Sequence, residues 1–304
     1  MQSPELSVVT GALGYTGRYI TRKLLSEGQR VMTLTGHLNR RNPFGDRVSV
    51  APFSFDNPSK LARRLQGATT FYNTYWVRFP HGQATYDRAI ENTMTLIEAA
   101  EEAGIRKIVH VSITNASADS PLPYFRGKGL LEKLIIDSKL SYAIIRPTVI
   151  FGREDVLVNN VAWLLRRFPL FVIPGAGDYK LQPIHVEDLA EIAVRAARDE
   201  SNSIIDAVGP EVYTFDQLVR LVRKTVRSRS GIVHCRPRVA LFLSALVGHL
   251  VKDVLLTKDE VDGLMANLLI SDGPPTGPTR LSAWLAEHGD SFGVNYASEL
   301  DRHY

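Results

Sequence analysis

Short apolar runs alternate with amphipathic stretches through the first half of the chain, a pattern that predicts βαβ units around a parallel sheet. Leu6–Thr10 is a β-rich run that stops at glycine. Tyr15–Ser26 then has helical spacing, with Tyr19, Ile20, Leu24 and Leu25 on one side, and ends before Gly28. Val31–Thr35, Val48–Phe55 and Thr69–Thr74 read as the second, third and fourth strands, with a short proline-opened helix at Pro58–Leu65. Tyr86–Ala103 is a long helix closed by Gly104, its buried stripe falling on Ile90, Met94, Ile97 and Ala100/Glu101. Lys107–Ile113 is a fifth strand, Tyr124–Ser138 a helix, and Tyr142–Arg146 a sixth strand ended by Pro147.

Six parallel strands with helices between them make an α/β, Rossmann-type doubly wound sheet. After Phe151–Gly152 the alternation loosens. Helices are expected at Val156–Phe168, Asp188–Arg198 and Phe215–Val226, and a short strand at Ser203–Val208, with a proline-rich interruption at Pro274–Pro278. The expected division is 1–152 for the nucleotide-binding domain. Residues 153–304 form a small, mostly helical C-terminal lobe, with some segments returning to the sheet.

Composition adds modest constraints. With 304 residues, 44% hydrophobic and 22% charged, the chain can bury a sizeable core. A net charge of +4 gives weak attraction to phosphates and acidic lipids and does not point to nucleic acid. Cys235 is the lone cysteine, and no Cys/His cluster has metal-ligand spacing, so a reduced, cytoplasmic setting and no metal are expected. The run Met1–Glu5 lacks the features of a signal peptide, and Val239–Val251 is too short to span a bilayer.

Chemistry is concentrated at two places. Thr10-Gly11-Ala12-Leu13-Gly14-Tyr15-Thr16-Gly17 lies between a strand and a helix, where unpaired amides and the helix dipole favour a pyrophosphate. Gly11 permits the tight turn, Gly14 the approach of the phosphate and Gly17 close helix–strand packing; Leu13, Tyr15 and Thr16 supply the rest of the cradle. The end of the second strand, Thr35-Gly36-His37-Leu38-Asn39-Arg40-Arg41, holds no carboxylate. His37, Arg40 and Arg41 could attract a 2′-phosphate there, which favours NADP(H) over NAD(H).

The second place is Tyr124-Phe125-Arg126-Gly127-Lys128, a phenol and an ammonium on one helix face. A neighbouring cation stabilises tyrosinate and suits the phenol to acid/base work near neutrality. The preceding strand ends Val111-Ser112-Ile113-Thr114, and a hydroxyl from Thr114, or second from Ser112, could polarise a carbonyl. Capping and turn formation are the ordinary alternatives for both.

These motifs, in this order, resemble the short-chain dehydrogenase/reductase superfamily. Thr10–Gly17 is similar to its TGxxGxxG turn and Tyr124–Lys128 to its YxxxK pair. Arg146–Gly152 resembles the RPxxxxG segment of the extended and atypical branches, and Gln182–Ala190 their HVxDLA segment. Within the superfamily the chain looks most similar to the epimerase/dehydratase-like group and to the NAD(P)H-binding accessory subunits of respiratory complex I. The resemblance implies that Lys128 contacts the nicotinamide ribose and that Pro147, Thr148 and Val149 lie near the nicotinamide amide. It also implies that Thr74 and Tyr75 line the cofactor groove and that Ser54 and Phe55 line the adenine site. His185 reads as structural and Asp188 as the cap of the following helix.

Two functional readings follow. One is an oxidoreductase, or an epimerase/dehydratase-like enzyme, passing hydride to or from a carbonyl or alcohol carbon of a small substrate with Tyr124 as acid/base. The other is a non-catalytic NAD(P)H-binding structural or sensory subunit, with a homodimer or a larger complex as its partner. Peripheral membrane attachment through Val239–Leu256 is a third idea that a lobe core or subunit contact explains as well.

Overall fold

A computed structural model describes residues 5–303; the N-terminal reading over Met1–Pro4 lies outside them. The chain forms two units. The first runs through Arg146 and takes in Val186–Asp206; the second holds Pro147–His185 and continues from Ala207.

In chain order the structure opens with β1 Leu6–Thr10, α1 Tyr15–Ser26, β2 Arg30–Thr35, β3 Val48–Pro52, α2 Pro58–Leu65 and β4 Ala68–Asn73. There follow α3 Tyr86–Glu102, β5 Lys107–Val111, α4 Pro123–Ile136, β6 Ser141–Pro147 and β7 Ile150–Phe151. Next come α5 Leu157–Arg167, β8 Leu170–Pro174, β9 Lys180–Leu181, β10 Ile184–His185, α6 Val186–Arg198 and β11 Ser203–Ala207. The chain continues through β12 Tyr213–Thr214, α7 Phe215–Thr225, β13 Gly231–Cys235 and α8 Pro237–Val251. It finishes with α9 Lys258–Met265, α10 Leu281–His288 and α11 Leu300–His303.

The main sheet has seven strands in the order β11-β6-β5-β4-β1-β2-β3, so it is the Rossmann-type α/β fold that the strand–helix alternation predicts. Six of its strands are those expected; β11 adds the seventh beside β6. The strand order reverses between β1 and β4, which places a crevice beyond their carboxyl ends, at Gly11 and Thr74. Beneath it, Val8, Leu34, Phe71, Leu96, Ile108 and Ile144 belong to one buried cluster.

Three local expectations differ from the structure. The third strand stops at Pro52 rather than Phe55: proline cannot donate to a ladder, and the Phe53 amide makes a last bond to Thr35 O at 3.3 Å. On α3 the buried positions are Ala89, Thr93, Leu96, Ile97, Ala99 and Ala100, while Met94 is exposed. The small residues let the helix lie close to its neighbours, and the stripe is rotated from the one that residue size suggests. Asp188 sits inside the first turn of α6, which begins at Val186, and so is not a cap; its charge there complements the helix dipole.

In the second unit, β8 and β13 pair in parallel, and a cluster including Phe151, Val161, Leu181, Leu218 and Trp284 forms the core. His185 pairs with Phe151 across β10 and β7, and its ring lies 5.1 Å from Phe151 and 6.0 Å from Trp284. Asp155 is buried, accepts amides from Val158 at 2.8 Å and Asn159 at 3.2 Å, and is pushed up to about 7 by its burial. Pro147, Thr148 and Val149 are buried in or beside this unit; the Thr148 hydroxyl donates to the Gln182 carbonyl, and Val149 joins the core.

Candidate functional site

The glycine turn between β1 and α1 is held by backbone bonds and by the hydroxyl of Thr33 on β2. Gly11 has φ +66°, a left-handed conformation that glycine adopts without strain. Its amide donates to Leu34 O at 3.0 Å, and the Gly14 amide returns to Gly11 O at 2.8 Å. A Cβ on Gly17 would meet Gly11 O and lie 2.7 Å from Gly11 C, so α1 starts closer to the turn than any side chain permits. Thr33 donates to Val9 O at 2.8 Å and accepts the Ala12 amide at 3.1 Å, fixing the turn to β2.

An α-helix leaves the amides of its first turn without intrahelical acceptors. Here Gly14 is the N-cap, no side chain among the described residues caps it, and the first turn has no acidic residue. Leu13 is buried, and Tyr15 and Thr16 are half-buried at the start of the helix. The cradle therefore fits an anionic diphosphate: its narrowest positions are those that a Cβ would fill.

At the end of β4 the two threonines bind each other in both directions. The Thr74 amide donates to the Thr10 hydroxyl at 2.7 Å, and the Thr74 hydroxyl donates to Thr10 O at 2.6 Å. Asn73 Oδ1 accepts the Tyr75 amide and the Thr10 hydroxyl, at 3.1 and 3.2 Å. Its Nδ2 must then donate, so His110 Nδ1, 3.1 Å away, is an acceptor and the ring is neutral with its proton on Nε2. Burial, reinforced by the Lys128 charge, holds His110 well below the ordinary histidine range. Asn73 and His110 were not among the expected site residues; their polar character inside apolar strands is the signal that could have found them.

Along the flank of the sheet, Phe53 stacks on Phe55 at 4.8 Å, and Tyr75 packs against both rings at 5.3 and 5.6 Å. Ser54 is buried and accepts from Arg64 at 2.6 Å. Thr35 caps the loop beyond β2 by accepting the His37 amide at 3.0 Å, and Arg40 turns back to His37 O at 3.2 Å. His37, Arg40, Ser54, Phe55 and Tyr75 thus sit on the loops that follow β2, β3 and β4.

Tyr124 and Lys128 occupy successive turns of α4. Lys128 is 3% exposed, its Nζ donates to Val111 O at 2.8 Å, and burial lowers it to about 7. Trp76 lies over it, with Nζ 4.8 Å from the ring centre. The same indole meets Tyr124 edge-on at 5.9 Å and stacks on Tyr86 at 5.7 Å, while Tyr86 and Tyr124 are 6.1 Å apart. Gly127 makes room for this arrangement: a Cβ there would be 2.7 Å from Trp76 Cη2.

The two hydroxyls after β5 differ. Ser112 donates to Glu132 at 2.5 Å, and Glu132 also takes both prongs of Arg146, at 3.0 and 2.5 Å. Thr114 is fully buried. Around Lys128, Trp76 Nε1 and His110 Nε2 are buried donors with no hydrogen-bond partner among the described residues. A ligand rich in acceptors, such as a ribose or a carbonyl, suits such a surround. The described residues contain no metal-binding cluster.

A family model described as NAD(P)H-binding matches residues 11–200. A mitochondrial NADH dehydrogenase [ubiquinone] 1 alpha subcomplex subunit 9 from Arabidopsis thaliana is 24% identical over 290 residues, covering 88% of this chain and 71% of that one. Among solved structures, a nucleoside-diphosphate-sugar epimerase from Staphylococcus aureus superposes with TM-score 0.76 at 17% identity, covering 92% of this chain and 99% of that one. An NADPH-dependent quinone oxidoreductase from Escherichia coli, complexed with NADPH, gives TM-score 0.72 at 21% identity, covering 94% and 99%. These two structures share the fold with this chain.

Proposed function

The chain belongs to the NAD(P)H-binding family, and from that premise we propose that it is an NAD(P)H-dependent oxidoreductase acting on a carbonyl or alcohol carbon. The observation that carries the proposal is the Tyr124–Lys128 pair, with buried Lys128 beside the orphaned donors Trp76 Nε1 and His110 Nε2. Bound nicotinamide would supply the hydride. The amides of Gly11–Gly17 would hold its pyrophosphate, Ser54 and Phe55 would line the adenine, and Thr74 and Tyr75 the groove between. Lys128 would donate to the ribose while its charge favours tyrosinate at Tyr124, which moves the proton to or from the substrate oxygen. Thr114, the first of the two hydroxyl candidates, would orient the carbonyl; Ser112 is engaged by Glu132. Trp76, Tyr86 and Tyr124 form an aromatic group suited to a flat conjugated acceptor, a class to which quinones belong. The preferred nucleotide is NADP(H), since His37, Arg40 and Arg41 stand beyond β2 where no carboxylate does. A reducing compartment, the cytoplasm in the simplest reading, fits a chain with a single cysteine.

Purified protein should shift NADPH fluorescence more than NADH fluorescence and oxidise NADPH when offered a panel of aldehydes, ketones and quinones. Tyr124→Phe should reduce turnover at least about a hundredfold while sparing nucleotide affinity. Full activity in that variant rejects the mechanism.

A second reading, a nucleotide-holding subunit without turnover, is favoured by Trp76, whose ring covers Lys128 and abuts Tyr124. In that case NADPH binds and raises the unfolding temperature, but no carbonyl in the panel oxidises it.

A further inference from the structure

We propose that α8, with the basic segment leading into it, docks the chain on the surface of an anionic lipid bilayer. This helix leaves Val239, Phe242, Leu243, Leu246 and Leu250 exposed, Phe242 by 64% and Leu250 by 76%. No other helix among the described residues exposes more than two large apolar side chains. At about 100° per residue these five fall within a single arc of roughly 100°. The helix is fastened by a different side: Ala240 and Gly248 are buried, and a Cβ on Gly248 would lie 2.6 Å from Asp253 O. One face therefore belongs to the unit, and an adjacent apolar face is left uncovered by the described residues.

Charge identifies what covers that face. Between Gln217 and Lys252 the chain carries Arg220, Arg223, Lys224, Arg227, Arg229, Arg236, Arg238 and Lys252, and no Asp or Glu. The whole chain has a net charge of only +4, so this segment is a local positive pole. Arg220 is paired with Asp216, whereas Arg236, Arg238 and Lys252 are exposed at the two ends of the apolar stripe. Asp253, the next acid in sequence, is buried and turned inward, accepting from Tyr296 and from the amides of Glu299 and Leu300. An apolar stripe flanked by cations, on a helix that with its lead-in carries no acid, matches the boundary between acyl chains and acidic headgroups. A two-fold contact with a second copy would instead bring two positive poles together. No helix of the described residues is long and apolar enough to cross a membrane, so α8 would lie in the interface.

The test is flotation of the full chain, without nucleotide, with vesicles of phosphatidylcholine alone or mixed with phosphatidylserine. Because no cofactor is present, the outcome is independent of the oxidoreductase reading. The chain is expected to float with the mixed vesicles, to be released by salt, and to ignore phosphatidylcholine alone. The double variant Phe242→Asp with Leu246→Asp should bind at least about tenfold more weakly. Arg236→Gln with Arg238→Gln, a purely surface change, should weaken binding about thirtyfold. Both variants should keep the parent circular dichroism spectrum. Failure of the parent to float with the mixed vesicles overturns the proposal, as does parent-like binding by the folded variants. A lipid-free dimer dissolved by the aspartate pair overturns it too, and assigns the face to a second copy.

Discussion

The glycine turn after β1 and the Tyr124–Lys128 end of α4 belong to the same unit but are built from different materials. At the turn, backbone bonds and the Thr33 hydroxyl fix the geometry, and close packing depends on a missing side chain: a Cβ at Gly17 would strike Gly11. At α4 the geometry is made by side chains that constrain one another, with Lys128 beneath Trp76, Trp76 against Tyr124, and Ser112 on the Glu132–Arg146 pair. A backbone site is specified by a few residues close in sequence. A side-chain site is specified by residues drawn from β5, β6, α3, α4 and the end of β4 with the loop beyond it.

The largest effect that separates the two is expected from Glu132→Ala. Glu132 is buried and Arg146 is half-covered, so removing the carboxylate strands a guanidinium and should cost roughly 3 kcal/mol of stability. Chemical unfolding would measure it, and NADPH affinity should fall less than stability, because the turn shares no contact with this pair and Glu132 reaches the coenzyme only through the Lys128 charge it supports. Loss of affinity in step with stability would show that the two places are not separable. Gly17→Val is the converse. Overpacking against Gly11 should weaken NADPH binding about thirtyfold, equivalent to roughly 2 kcal/mol, which titration calorimetry can read.

The smallest effect concerns pH. Lys128 is lowered from 10.5 to about 7, so the folded protein holds fewer protons than the unfolded chain between those values. Stability due to this group should therefore rise with pH across that window and be flat below it. Lys128→Met should flatten the rise in unfolding midpoint measured from pH 7 upward. His110 acts at the acid end: its folded form stays neutral well below 6.5, so acidification from that point favours the unfolded chain. A parent midpoint that falls as pH increases above 7 would contradict the assignment of Lys128.

The same contrast explains what the sequence made legible. Strand–helix alternation and the TGxxGxxG spacing were enough for the sheet and its switch point, since both depend on local periodicity and on glycine. Tyr124 and Lys128 were visible as an i, i+4 pair. Most of their surroundings were not, because Asn73, His110, Tyr86 and Glu132 meet only once the sheet and helices are assembled, and each has an ordinary reading where it stands in the chain. The buried stripe of α3 was misplaced for a related reason: Met94 looks like core by size, but close packing selects Ala89, Thr93 and Ala100 instead. The exposed face of α8 was read as one of several options until burial showed which of its residues the unit leaves uncovered.

The reciprocal pair Thr10–Thr74 fastens the chain to β1 two residues before it reaches Trp76. A substitution at position 76 therefore starts from a fixed point: it alters the cover over Lys128 while the clasp holds the end of β4 in place.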